Sequence, residues 1–185
     1  MKHSFEARID ALSIQPLKQS DIELLRKWRN DEHIAKFFRK IGFISAQQQL
    51  QWYNKYLIEK EYYWSIVENG KTIGALAIYN ISDTDAEIGR IMIGDINARG
   101  KGYGYKALIM AMTIGFQQLN LKKFNLNVHE KNTTALNIYK LAGFIENGSH
   151  PFNEDGKEYE MCINYEHFVN VNPIHKNVVV NDFSQ

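Results

Sequence analysis

Apolar residues recur along this chain in two rhythms, every second position and every third or fourth, and the changes between them divide it into elements. Residues 10–17 (DALSIQPL) keep the first rhythm and predict a strand. Behind Ser20 or Asp21 as a cap, Ile22, Leu25, Trp28 and Arg29 fall at helical spacing, predicting a helix to about His33. Ser45 predicts the start of a second helix carrying Gln47, Leu50, Trp52, Tyr53, Tyr56 and Leu57. The link between them, Phe37 to Phe43, is short and aromatic, suited to facing a substrate. Tyr62–Val67 and Ile73–Asn80 form a predicted hairpin, because Asn69-Gly70 between them suits a tight turn. A strand over 86–95, a helix over Tyr103–Leu119, a strand over Lys123–His129 and a short helix over Asn132–Leu141 follow. A last strand pair, 144–150 and 157–167, closes around the polar turn PFNEDGK.

The predicted order is βααβββαβαββ, an α/β mixture. With no internal repeat or interdomain linker, residues 1–168 are expected to make one domain. Residues 169–185, rich in Asn and Val, are expected to be a frayed tail, with Val178-Val179-Val180 as the stretch able to add a strand or touch another subunit.

Composition narrows the function classes. At 185 residues and 44% hydrophobic content, the chain is long enough for a substantial core. Twenty-two Lys and Arg against 21 Asp and Glu supply no broad basic surface, so a nucleic-acid partner is not expected. The opening MKHSFEARID lacks the apolar core of a signal peptide, and no run reaches membrane-spanning length, so a cytoplasmic protein is expected. Cys162 is the sole cysteine, which excludes an intrachain disulfide. Its alternating surroundings suggest a core thiol rather than a nucleophile.

The chemistry concentrates at Arg99-Gly100-Lys101-Gly102-Tyr103-Gly104, between a predicted strand and a predicted helix. A glycine-rich turn feeding a helix start presents unpaired N–H groups at the positive end of the helix dipole, a cradle for phosphate. Downstream comes Asn132-Thr133-Thr134-Ala135-Leu136-Asn137-Ile138-Tyr139-Lys140-Leu141-Ala142-Gly143-Phe144. Together, Arg-x-x-Gly-x-Gly after a central strand and Asn-x-x-Ala-x-x-x-Tyr-x-x-x-Gly-Phe on a later helix resemble the acyl-CoA-binding core of the GNAT N-acetyltransferases. The resemblance covers about residues 11–167.

That resemblance implies a mixed, mostly antiparallel sheet flanked by helices. It also implies a metal-free reaction in which a primary amine attacks acetyl-CoA directly within a ternary complex. The N–H groups of Gly100, Lys101, Gly102, Tyr103 and Gly104 would hold the pyrophosphate, with Arg99 and Lys101 adding charge. Pantetheine would pair with backbone at Met92, Ile93 and Gly94, where an N–H would also stabilise the oxyanion. Asn132 would bond pantetheine or orient Tyr139. Tyr139 would be the general acid toward the departing thiolate; the alternative is a ring packed against Leu136, Ala142 and Phe144.

A general base is harder to find. Ribosomal-protein alanine acetyltransferases of the family often carry a glutamate five residues before the motif asparagine, where this chain has Asn127. Glu87 on the central strand is the leading replacement, on one face with Gly89, Ile91 and Ile93 while Arg90 points away; otherwise it pairs with a surface lysine. His129, His150 and a water relay are the other options.

For the acceptor, Trp28-Arg29-Asn30 with the later Trp52-Tyr53 is similar to GNATs that acetylate amino sugars on nucleotides. Arg29, Asn30, Arg39, Trp52 and Tyr53 are the candidate residues, arginine for a diphosphate and aromatics for a sugar or base face. The alternatives are that Trp28 and Trp52 belong to the core and that Arg29 caps a helix. A protein N-terminus remains open as acceptor, as does a polyamine or aminoglycoside met by Asp83, Asp85 and Glu87. So does a non-catalytic acyl-CoA sensor. The partners expected are acetyl-CoA and a small amine, without nucleic acid or membrane, on a monomer or homodimer.

Overall fold

The computed structural model describes residues 2–36, 42–152 and 156–183. Its strands are β1 (Phe5–Ile9), β2 (Leu12–Pro16), β3 (Tyr62–Glu68), β4 (Lys71–Tyr79), β5 (Asp85–Ile93), β6 (Lys123–His129), β7 (Ile145–Pro151), β8 (Lys157–Asn164) and β9 (Val179–Asp182). They form one sheet in the order β7-β8-β6-β5-β4-β3-β2-β1-β9. β5 and β6 run parallel, and the other neighbouring pairs run antiparallel. The helices are α1 (Ile22–Arg29), α2 (Glu32–Ala35), α3 (Ala46–Tyr56), α4 (Tyr103–Gln117), α5 (Thr133–Leu141) and α6 (Tyr165–Val171).

Strand alternation builds two cores, one on each face of the sheet. On β4, Leu76 and Ile78 join Trp64, Ile66, Ile88 and the buried side of α4. Ala75 and Ala77 face the other way and leave room for Tyr53, Tyr56 and Tyr63 beside α1 and α3. Residues 107–116 of α4 are all buried, as a helix apolar all round must be. No helix among the described residues is long and apolar enough to cross a membrane.

Local chemistry accounts for most boundaries. Asn69 and Gly70 both take positive φ, 48° and 78°, as the hairpin between β3 and β4 requires. Ser45 and Gln48 form a reciprocal cap at the start of α3. Three expectations need correction. The strand expected over 10–17 is β2, and an unexpected strand, β1, precedes it and pairs with it in a hairpin turning at Asp10, whose φ is 55°. The helix expected to run to His33 breaks at Asn30, because the Asp31 carboxylate accepts from the His33 N–H at 2.8 Å and starts α2. Residues 165–167 leave the last strand for α6, where Asn164 Oδ1 accepts from the His167 N–H at 2.9 Å.

The described part of the expected frayed tail, residues 169–183, is built into the fold, and Val179 and Val180 do add a strand. β9 pairs with β1 from Phe5↔Asp182 to Arg8↔Val179. Phe168 packs on Phe116 with ring centroids 5.1 Å apart, and Asn172 bridges the Tyr105 hydroxyl and the Ala142 carbonyl. Cys162 is half-buried on β8, on the face opposite Met161 and Ile163.

One buried group should make stability depend on pH. His3 lies against Trp64 and Tyr62, and its Nε2 is 3.0 Å from the Tyr63 carbonyl oxygen. Burial holds its pKa down at about 4, from an ordinary 6.5. The unfolded chain therefore binds this proton first as pH falls. The stability His3 contributes is expected to be intact above about 6.5 and lost progressively toward about 4. Urea unfolding of the protein and of His3→Gln across that range reads the difference; identical pH dependence would remove the assignment.

Candidate active site

Two irregularities in β5 open the site. The strand pairs with β6 only over Asp85–Glu87 against Lys123–Asn125, and beyond that point the two diverge. Against β4, Ala77↔Gly89 is followed by Ala75↔Met92, so β5 carries one extra residue there. Arg90 lies in this bulge with φ 53°. A cleft of about 1070 Å³ fills the splay, running from the glycine loop past Tyr139 to Glu87 and Arg29.

At one end, Asp95 caps a short turn by accepting from the Asn97 N–H at 2.9 Å, and Lys71 pairs with the same carboxylate. Gly100 and Gly102 take φ of 76° and 75°, and the space where a Cβ would stand on either holds nothing within 4 Å. Gly102 is the N-cap of α4, so the N–H groups of the first turn have no carbonyl within the helix to meet. Open space over such a turn fits a pyrophosphate. Arg99, Tyr103 and Gly104 line the cleft there, while Lys101 is exposed with its ammonium 5.9 Å from the Tyr103 ring centroid. The Tyr103 hydroxyl donates to Glu68, fixing the loop to the end of β3.

Two parts of the expected cradle have other duties. The Arg99 guanidinium turns inward, donating to the Ile93 carbonyl at 3.0 Å and the Gly94 carbonyl at 3.2 Å. The Gly94 N–H donates to the Ile73 carbonyl at 2.9 Å and is not left for an oxyanion. Gly94 serves packing, since a Cβ there would run into the Trp28 indole. Met92 and Ile93 do line the cleft.

Tyr139 also lines it, on α5, with its ring edge-on to Phe144 at 5.7 Å. Its hydroxyl makes no hydrogen bond among the described residues, and burial pushes its pKa up to about 12. Asn132 caps α5 by accepting from the Ala135 N–H at 3.2 Å and faces the same cleft.

Glu87 faces the cleft with no ion pair among the described residues, so the surface-lysine alternative is not what the structure contains. Its Oε1 accepts from Asn80 Nδ2 at 2.8 Å. Asn127 lines the cleft from β6, an amide at the position discussed above. His129 lines it too, with Nδ1 accepting from the Lys131 N–H at 3.1 Å. His150 instead bridges Glu158 and Glu160, at 3.3 and 3.1 Å, outside the cleft wall.

At the far end the acceptor residues divide. Arg29 lines the cleft beside His33, and burial, with the charge of Arg90, lowers its pKa. Asn30 does not line it: its amide donates to the Ile44 carbonyl at 2.9 Å and accepts from the Ile44 N–H at 2.8 Å, closing the loop before α3. Trp52 stacks on Tyr56 and meets Tyr63 edge-on at 5.0 Å, while Tyr53 is buried beside them. Asp83 and Asp85 also lie outside the lining. Arg39 lies outside the described residues.

Sequence reasoning passed over Tyr79, Asn80, His33 and Glu158, and it aimed Arg90 away from Glu87. In the bulge Arg90 reaches the cleft, donating to Glu61 Oε2 at 3.1 Å and to the Tyr63 hydroxyl, with its guanidinium 3.9 Å from the Tyr79 ring centroid. The available signal was an arginine inside an otherwise apolar strand.

Residues 11–145 match the family model of the acetyltransferase (GNAT) domain. The chain belongs to the GNAT family. Spermidine N(1)-acetyltransferase of Escherichia coli K12 is 24% identical over 159 residues, 83% of this chain and 86% of that one. Acetyltransferase PseH of Campylobacter jejuni is 25% identical over 152 residues, 82% of this chain and 90% of that one. The fold of spermidine N-acetyltransferase from Vibrio cholerae, solved with CoA and spermine, superposes with a TM-score of 0.78 at 22% identity, covering 86% of this chain and 99% of that one.

This GNAT protein is therefore an N-acetyltransferase with acetyl-CoA as co-substrate. Acetyl-CoA supplies the activated acyl group as a thioester; the chain must bind it, admit an amine and manage two protons.

Proposed function

We propose that the enzyme acetylates a primary amine on an acceptor bearing negative charge, a nucleotide-linked amino sugar. The observation carrying this reading is the pair of arginines, Arg29 and Arg90, in the cleft wall. Guanidiniums suit a diphosphate and oppose a polycation. Glu87 takes a proton from the bound ammonium, and the freed nitrogen lone pair attacks the acyl carbon. As the carbon–sulfur bond breaks, the Tyr139 hydroxyl gives its proton to the sulfur and CoA leaves as the thiol; the second proton lost by the nitrogen restores the Tyr139 phenol, and the proton held by Glu87 passes to solvent.

A polyamine acceptor is the second reading. The Escherichia coli relative, a spermidine N(1)-acetyltransferase, favours it, as do the carboxylates of Glu87 and Glu158 in the same cleft.

An acceptor screen separates the two: acetyl-CoA with UDP- and dTDP-linked amino sugars, peptides, spermidine and aminoglycosides, followed by thiol release. Arg29→Ala is expected to raise the KM for a nucleotide amino sugar about tenfold or more, the worth of one lost charged contact, and to leave CoA affinity unchanged. Turnover of spermidine alone would replace the sugar reading. An equal loss of CoA affinity would make Arg29 a structural residue.

A further inference from the structure

Glu87 has a second neighbour besides Asn80. Tyr79 is its direct partner across the β4–β5 pair, so the two side chains stand on the same face of the sheet. Asn80 follows at once with φ 50°, a turn that brings its amide back to the same carboxylate. The phenol lies over Gly89: a Cβ placed on that glycine would stand 3.2 Å from Tyr79 Oη. Arg90 covers the ring, and Glu61 and Tyr63 anchor Arg90 in turn. Tyr79, Glu87, Gly89 and Arg90 all line the cleft that holds Tyr139.

We infer that Tyr79 is a positioning residue, whose hydroxyl donates to the Glu87 carboxylate and, with the Asn80 amide, holds it toward the substrate amine. Burial and the adjacent carboxylate both raise the pKa of Tyr79 above the ordinary tyrosine range. The phenol thus keeps its proton and acts toward Glu87 as a donor. The absent side chain of Gly89 is part of the device, because a methyl there would crowd the hydroxyl at 3.2 Å and push it off its place. The inference rests on the reading of Glu87 as the base.

The test is a double-mutant cycle between Tyr79→Phe and Gly89→Ala, run with acetyl-CoA and a UDP-linked amino sugar, or with spermidine if the screen selects it. Tyr79→Phe removes the hydroxyl and keeps the ring under Arg90. It is expected to lower kcat roughly tenfold or more, the worth of a hydrogen bond to a charged group. The KM for acetyl-CoA and its calorimetric Kd should not move. Gly89→Ala is expected to lower kcat similarly by displacing the hydroxyl, yet to cost little in the Tyr79→Phe background, where the methyl meets no oxygen. Gly89→Ala costing the same factor in both backgrounds would overturn the inference, as would full kcat in Tyr79→Phe. Glu87→Gln separates the two claims. If it keeps full kcat, the base reading falls and this inference with it. If it loses kcat while Tyr79→Phe does not, the inference alone falls.

Discussion

Tyr139→Phe is expected to lower kcat roughly a hundredfold or more, the usual worth of a positioned general acid, with CoA affinity and thermal midpoint unchanged. The ring should stay, because its contact with Phe144 uses the aromatic edge and not the oxygen. The hydroxyl has no hydrogen bond among the described residues, so deleting it strands no protein partner. Burial sets the pH behaviour. With its pKa pushed up to about 12, the phenol remains a donor well above neutrality. Tyr139 should then impose no falling limb on kcat up to about pH 10, where an ordinary tyrosine would already be half-ionised. Steady-state kinetics on both enzymes from about pH 6 to 10 provide the check. Full kcat in the variant would reduce Tyr139 to a packing residue.

Gly102→Ala should damage the nucleotide end on two counts. The φ of 75° costs a side chain roughly 1–2 kcal/mol, so a lower thermal midpoint is expected. The same methyl would project into the open space over the turn, where phosphate oxygens must approach the N–H groups. CoA affinity should fall about tenfold or more, equivalent to roughly 1.4 kcal/mol. Lys101→Ala, on an exposed side chain next door, should change it far less. Calorimetric titration of both variants with CoA decides the point. Unchanged affinity in Gly102→Ala would move the cradle elsewhere.

The parts legible in the sequence are those that demand particular residue types. A left-handed turn before a helix calls for glycine, and a two-residue hairpin calls for Asn-Gly, so the loop and the β3–β4 turn stood out. β1 was passed over although Phe5, Ala7 and Ile9 alternate with Glu6 and Arg8, because the run is only five residues long and its second partner, β9, lies at the other end of the sequence. Arg90 was misdirected because a bulge belongs to the register of two strands and cannot be counted along one. Trp52 and Tyr53 looked like stacking groups for a sugar. They are needed instead because β4 offers small alanines on that face and something large must fill the space. The acceptor wall stayed obscure for the same reason: Arg29, Tyr79, Glu87 and Arg90 come from three elements that only the sheet brings together.

The place of β9 carries a further consequence. A strand beside β1 converts what would be an open row of N–H and C=O groups into paired backbone, and leaves a four-residue strand ending in Asn181 and Asp182 as the outer border. Short polar borders are poor templates for other chains. Clipping residues 179–183 would therefore do more than shorten the protein: it would uncover β1 and invite copies to join edge to edge. The last strand covers the β1 edge, at the side of the sheet away from the chemistry.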